Sequence, residues 1–411
     1  MGVSVKKKAI FDVILNTIAM AIPIVLLQLI ILPLIAVKMN TDRYGLLLTL
    51  VAFISMISSS MGNVVNNTRL LEDGSYKDKP YGDFGIWLIL LSICNAAAVI
   101  GGYLYYSGGN FGVLDFTFTV VIAVLTLYQE YCIVYFWINL DYKKVLVNNI
   151  LLGLGYGLGT LLFIATGYWQ LIYITGLAFS IVYIHLRKDV PRENVKRTVN
   201  WGKVSSKIII LCICTILAKS LQYIDKLLLY PILGGTSVSI YYASSLVGKI
   251  ISMVLNPING VILSHLSKVE KVRKQDCRKI AVGVVVISIF GYFASNILAG
   301  PIIHILYPQL EAEVMNYIYI MNMTGIVMGL STLMAPVLLK FCDIKWQIVI
   351  NGLSVLAYVA LSLLFLESQG LKGFCIGVLL SNVCKVGLMA IVFLIEKNRF
   401  IDDKTEKRDK K

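Results

Sequence analysis

The chain has 411 residues, 58% hydrophobic and 15% charged, with a mean hydropathy of +0.79 and a net charge of +14. A soluble domain carries roughly 25% charged residues, so a water-solvated globule is excluded. The basic excess lies in loops and tails between apolar runs, a membrane pattern rather than a nucleic-acid one.

With the bilayer as solvent, the backbone must satisfy itself in helices, so the chain reads as an all-α polytopic membrane protein. Apolar runs predict twelve spans at 11–37, 44–66, 84–106, 112–140, 145–166, 169–186, 208–233, 240–263, 280–307, 314–339, 346–366 and 373–395. The first run is too long for a signal-peptide core, and no small-residue cleavage site follows it. It is read as a retained helix.

The loop charges support this count. Taking alternate loops, one side holds 30 of the 37 Lys and Arg residues, whereas the other holds only Lys38, Arg43 and Lys372. Four basic residues remain inside spans: Lys219, Lys226, Lys249 and Lys385. By the positive-inside rule both termini are cytoplasmic, in a multi-pass protein of the cytoplasmic (inner) membrane. Tyr103, Tyr105, Tyr106, Tyr168, Trp169 and Tyr307 fall at outer span ends, and Trp201 and Trp346 at inner ones.

The longest connection, 187–207, is basic and contains Pro191. It divides the chain into an N-terminal six-helix lobe (1–186), a basic cytoplasmic linker (187–207), a C-terminal six-helix lobe (208–396) and a basic tail (397–411). The halves share a weak internal likeness at an offset of 197: Ser55, Ser59 and Gly62 match Ser252, Asn256 and Asn259. Both halves begin on the same side, so they read as parallel repeats.

The eight cysteines are scattered, mostly within apolar runs, and imply neither a disulfide framework nor a zinc site. No P-loop is present, so ATP hydrolysis by this chain is not expected, and no cofactor or metal is called for. Outer loops are short, which argues against a membrane polymerase or another enzyme with a large external catalytic loop.

The stretch 211–266 carries the candidate site. A lysine at the bilayer centre costs about 2.5–3.5 kcal/mol and marks a functional position by default. Lys219, Gln222 and Lys226 fall on one helical face, with Asp225 beside it. In the next span Ser245, Lys249, Ser252, Asn256 and Asn259 form a polar seam. One reading is a cationic cavity wall that binds an anion and a polar head group. The other is structural, with Asp225 neutralising a lysine on a neighbouring helix and the Ser/Asn seam joining helices; for Lys226 it is pairing with Asp225 or snorkelling. Arg69 ends the matching seam of the second span, as a first contact for an incoming phosphate or an ordinary interfacial anchor. Glu130, in the fourth span, is a proton or cation site or the partner of a cavity lysine. The run Gly153, Gly155, Gly157 and Gly159 suits close helix packing. Pro23, Pro33, Pro257 and Pro336 can kink their spans.

The segment Gln222-Tyr-Ile-Asp225-Lys226-Leu-Leu-Leu, with Gly234-Gly235 and Ser239-Ile-Tyr241-Tyr-Ala, resembles a motif of the Wzx-type polysaccharide flippases. These belong to the multidrug/oligosaccharidyl-lipid/polysaccharide (MOP) exporter superfamily. Thr41-Asp42-Arg43-Tyr44-Gly45-Leu46 is similar to the turn after their first helix, without its leading glycine, and Asn256-Pro257 is in keeping. The resemblance implies a MATE/MOP-like fold of two six-helix lobes in a V around a central cavity. It implies flipping of an undecaprenyl-diphosphate-linked oligosaccharide for capsule, exopolysaccharide or O-antigen assembly. It implies contact with membrane lipid and opens contact with a polysaccharide polymerase and the chain-length machinery. Cavity cations carry over to Lys249 and Lys219. The alternatives are a MATE-like multidrug or cation antiporter, which should show deep acidic residues, a membrane polysaccharide polymerase, and a non-transporting scaffold of an assembly complex.

Overall fold

A computed structural model describes residues 15–72, 82–109, 112–187, 195–250, 272–343, 345–396 and 401–402, with side chains except at 221, 272–287 and 401–402. The protein is helical almost throughout. A two-residue parallel pairing of Val272–Arg273 with Ile401–Asp402 is the sheet structure among the described residues. We number the main helices α1 (Leu15–Lys38), α2 (Thr41–Glu72), α3 (Gly82–Ser107), α4 (Val113–Ile138), α5 (Tyr142–Thr166), α6 (Gln170–Leu186), α7 (Trp201–Ser244), α8 (Lys274–Leu306), α9 (Ile318–Phe341) and α10 (Lys345–Glu396).

Among the described residues nine helices are long and apolar enough to cross a membrane; α6, with 17 residues, is the shorter apolar helix beside them. Large apolar side chains such as Leu161, Phe290 and Ile297 point outward, as lipid-facing surfaces require. The protein is therefore a multi-pass membrane protein.

Local sequence accounts for the helix ends. Asn40 opens α2, its side chain accepting the Asp42 N–H at 2.9 Å. Asp141 does the same for α5 through Lys144 N–H at 3.2 Å. Gly167 closes α5 at φ 83°, its N–H returning to the Phe163 carbonyl. A π-helical stretch, Leu27–Ile31, precedes Pro33 in α1, and the wider turn there fits a proline that removes one backbone donor.

Two long helices are each a pair of runs joined at a bend. In α7, Pro231 removes a donor and Gly234, at φ 77°, turns the chain; this coincides with the expected outer turn between 233 and 240. In α10 the break falls at Gln369 and Gly370, between the spans expected at 346–366 and 373–395. The span expected at 112–140 is broken once, at Ile133. The span expected at 240–263 lies outside the described residues beyond 250.

The chain forms two compact units, Met1–Val238 and Ser239–Lys411. In the first, Phe84, Leu127, Tyr131, Val134, Val145, Ile184, Val204 and Ile208 share one core. The segment from Arg197 to Lys207 is docked into that unit. Thr198 donates its N–H to Asp83 at 2.8 Å, Trp201 stacks on Trp87, and Glu72 accepts from Lys203 and Lys207. In the second unit Leu338, Ile350, Met389 and Val392 form a core cluster between α9 and α10. Gly155 and Gly159 of α5 face α6 so closely that an added Cβ at Gly155 would stand 2.7 Å from the Gly176 Cα. Gly155 and Gly159 thus serve helix packing.

Candidate functional site

Helix α2 carries Ser55, Ser59, Gly62 and Asn66 at steps of 4, 3 and 4, so they share one face. In the first unit every one of these positions has a defined use. Ser59 Oγ donates to Glu130 Oε1 at 2.8 Å and accepts from Lys219 Nζ at 2.6 Å. Asn66 Nδ2 donates to the Glu130 main-chain carbonyl at 2.8 Å, near the break in α4. Gly62 leaves room for α4: a Cβ there would stand 2.7 Å from the Glu130 Cβ. Ser55 stands beside Tyr223 of α7.

These contacts belong to a ladder between α2 and α7. Following α2 from 42 to 72, its partners on α7 run backwards from 235 to 203. The rungs are Asp42 with Gly235, Ser55 with Tyr223, Met56 with Ser220, Ser59 with Lys219, and Glu72 with Lys203 and Lys207. The helices are therefore antiparallel along most of their length. At 1.5 Å per residue, Ser59 stands about 25 Å from the Asp42 end and roughly 20 Å from the Glu72 end. Lys219 is thus held against the middle of α2. Ser59, Glu130 and Lys219 are all partly exposed, so the cluster is not sealed.

The other candidates are placed as follows. Asp225 and Lys226 are buried, and they pair with each other: Lys226 Nζ is 3.1 Å from Asp225 Oδ1 and 3.3 Å from Oδ2. The lysine also stands 5.9 Å from the centroid of the Tyr223 ring. Of the two pairings the sequence left open for Asp225, a lysine of a neighbouring helix or Lys226 beside it, the structure has the second. Gln222 is exposed. Arg69 is 1% exposed, its guanidinium 5.2 Å from the Phe84 ring and 5.6 Å from the Tyr135 ring, with Tyr131 Oη at 3.5 Å. Enclosed in this way, it is not presented to a ligand in this conformation.

In the second unit Lys249 Nζ lies 4.1 Å from the centroid of the Tyr242 ring, a cation–π contact. Ser245 Oγ donates to the Tyr242 carbonyl at 2.9 Å, within its own helical run. Ser252, Asn256 and Asn259 lie outside the described residues, as does Pro257. Lys385 is partly buried on α10.

The bridging role of Ser59 was not visible in the sequence, where the residue is one more serine of a seam. Asp83, Trp87 and Thr198, which dock the linker, carried no signal at all. Among the described residues no group of three or more His, Cys, Asp or Glu side chains could hold a metal ion.

No family model and no curated protein matches the chain. Solved structures do share its fold. A MATE protein in its bent conformation matches over 96% of this chain and 95% of its own, at 12% identity and a TM-score of 0.56. A multidrug resistance MATE family transporter of the MOP superfamily, in an outward-facing conformation, matches over 94% and 95%, at 10% identity and a TM-score of 0.58. A MOP superfamily transporter from Pyrococcus furiosus, whose binding pocket of reverse polarity suggests a different function, matches over 94% and 95% at 10% identity and a TM-score of 0.59. At these identities the likeness defines the fold. It is the polytopic helical fold of MATE/MOP superfamily transporters.

Proposed function

We propose that the protein is a transporter of an anionic, lipid-linked cargo. The cargo is an undecaprenyl-diphosphate-linked oligosaccharide repeat unit, carried across the cytoplasmic membrane for cell-surface polysaccharide assembly. The observation that supports this reading is Lys219, an ammonium held by Ser59 near the middle of the long apolar helix α2. A charge there has a cost, and a diphosphate is a cargo that repays it through charge-assisted hydrogen bonds.

In this reading Lys219 binds a phosphate oxygen, and Lys249 is a second cation, backed by Tyr242. Exposed Gln222 and the Ser245 seam contact the polar head. The lipid tail remains in the bilayer while access to the site alternates between the two sides of the membrane. Both termini are cytoplasmic, and no covalent bond of the cargo changes. The P. furiosus transporter, whose pocket of reverse polarity suggests a different function, is a precedent for functional variety on this fold.

The alternative on the same fold is a multidrug cation antiporter. That activity needs a carboxylate free to meet a cation. Glu130 is instead engaged by Ser59, one hydroxyl away from Lys219, which favours the anionic cargo. The test is flipping of a fluorescent lipid-diphosphate oligosaccharide in proteoliposomes by wild type, Lys219→Ala and Lys249→Ala. Loss of flipping in the variants, at normal yield and fold, is the expected result. Wild-type rates in both variants would overturn the reading.

A further inference from the structure

The site at Lys219 has a competing anion built into it. Lys219 offers only donors and an ionised carboxylate only acceptors, so Ser59 between them accepts from the lysine and spends its single proton on Glu130. While Glu130 is charged, its carboxylate offsets the ammonium, and a phosphate arriving at Lys219 meets a like charge one hydroxyl away. A protonated Glu130 reverses the chain. Its own O–H donates to Ser59 Oγ, and the serine hydroxyl turns to donate outward beside Lys219 Nζ. One proton thus converts an internally neutral cluster into a cationic one with a free hydroxyl donor.

We propose that Glu130 and a bound phosphate compete for Lys219 through Ser59, so that anion binding at this site takes up a proton on Glu130. The proposal rests on the reading of Lys219 as the anion contact.

The surroundings leave this assignment to few groups. The titratable side chains that interact with the Glu130 charge include Lys219 and Tyr223 on α7 and Tyr156 on α5. Helix α2 contributes Ser59, Asn66 and the gap at Gly62, none of them charged. Asn66 grips the main-chain carbonyl of Glu130 and not its carboxylate, so it fixes the residue without neutralising it. Tyrosines ionise far above the range in which a carboxylate titrates, so the exchange falls to Glu130 or to Lys219, and the Glu130→Gln variant separates the two.

The experiment uses the full chain in nanodiscs and a short-chain isoprenyl diphosphosugar, whose two esterified phosphates keep their charge from about pH 5 to about pH 9. Affinity is measured across that range, and proton uptake by calorimetry in two buffers of different ionisation enthalpy. In wild type, affinity is expected to fall about tenfold per pH unit on the alkaline limb, with uptake approaching one proton per ligand. Glu130→Gln should bind with a flat pH profile and no uptake, Ser59→Ala should bind more weakly, and Lys219→Met should not bind. A flat wild-type profile without uptake, or a slope that persists in Glu130→Gln, overturns the linkage while loss of binding in Lys219→Met leaves the anion site standing. Binding unaffected by Lys219→Met, or no binding by wild type at any pH, overturns the anion site as well. Should Glu130→Gln fail to fold, Glu130→Ala takes its place in the same comparison.

Discussion

The carboxylate of Asp42 accepts the backbone N–H of Gly235 at 2.9 Å across 193 residues of sequence. This fastens the first turn of α2 to the bend in α7, and the two backbones meet there because both Gly45 and Gly235 lack side chains. A Cβ on Gly45 would fall on the Gly235 carbonyl. Gly45→Val is therefore expected to lower thermal stability by about 1–3 kcal/mol, the range of overpacking. Asp42→Asn keeps an acceptor and should cost less than Asp42→Ala, which leaves the Gly235 N–H to water. Thermal unfolding of the detergent-purified protein ranks the three.

Arg69 is enclosed by Phe84, Tyr131 and Tyr135, so it is expected to act on stability and not on cargo affinity. A desolvated cation–π contact is worth about 2 kcal/mol. Arg69→Ala should lower the melting temperature, while the folded fraction binds a diphosphosugar as wild type does. A fall in affinity at unchanged stability would return Arg69 to the phosphate path.

Asp225 and Lys226 are enclosed together, so the single substitutions should be worse than the pair. Asp225→Asn strands a buried ammonium and is expected to cost about 3–5 kcal/mol. Asp225→Asn combined with Lys226→Met should recover most of that. A double-mutant cycle on unfolding free energy measures the coupling. If the double variant is stable but does not transport, Asp225 has a part in transport beyond pairing.

The glycines of α5 provide an internal control. Gly155 packs on Gly176, whereas a Cβ at Gly157 meets open space. Gly155→Leu should destabilise the first unit by roughly 1–3 kcal/mol, and Gly157→Ala should be neutral or slightly stabilising. Melting curves of the two variants, compared at equal detergent, check this.

Much of the architecture was legible because its causes are local. Apolar runs located the helices, and Gly234 and Gly370 marked the bends that divide α7 and α10. The repeated small residues of α2 announced a contact face. Lys219, Asp225, Lys226 and Glu130 stood out because charge inside an apolar run is expensive wherever the run goes. The serine that joins Glu130 to Lys219 was not legible. Glu130 reaches Ser59 over 71 residues and Lys219 reaches it over 160. Nothing in the local composition distinguishes Ser59 from Ser58, which turns the other way to meet Asn95 at 2.8 Å.

The amino-acid sequence by itself determined that this chain is a bundle of membrane helices with basic residues inside them, because hydropathy and backbone self-satisfaction act within each segment. Only the tertiary structure decided what each charge does. Lys219 became one end of a three-residue link to Glu130, Lys226 an ion pair with its neighbour, and Arg69 the filling of an aromatic cage. The reason is physical: the free energy of a buried charge is set by the groups within a few ångströms of it. For Lys219 and Arg69 those groups come from other helices, brought near by packing.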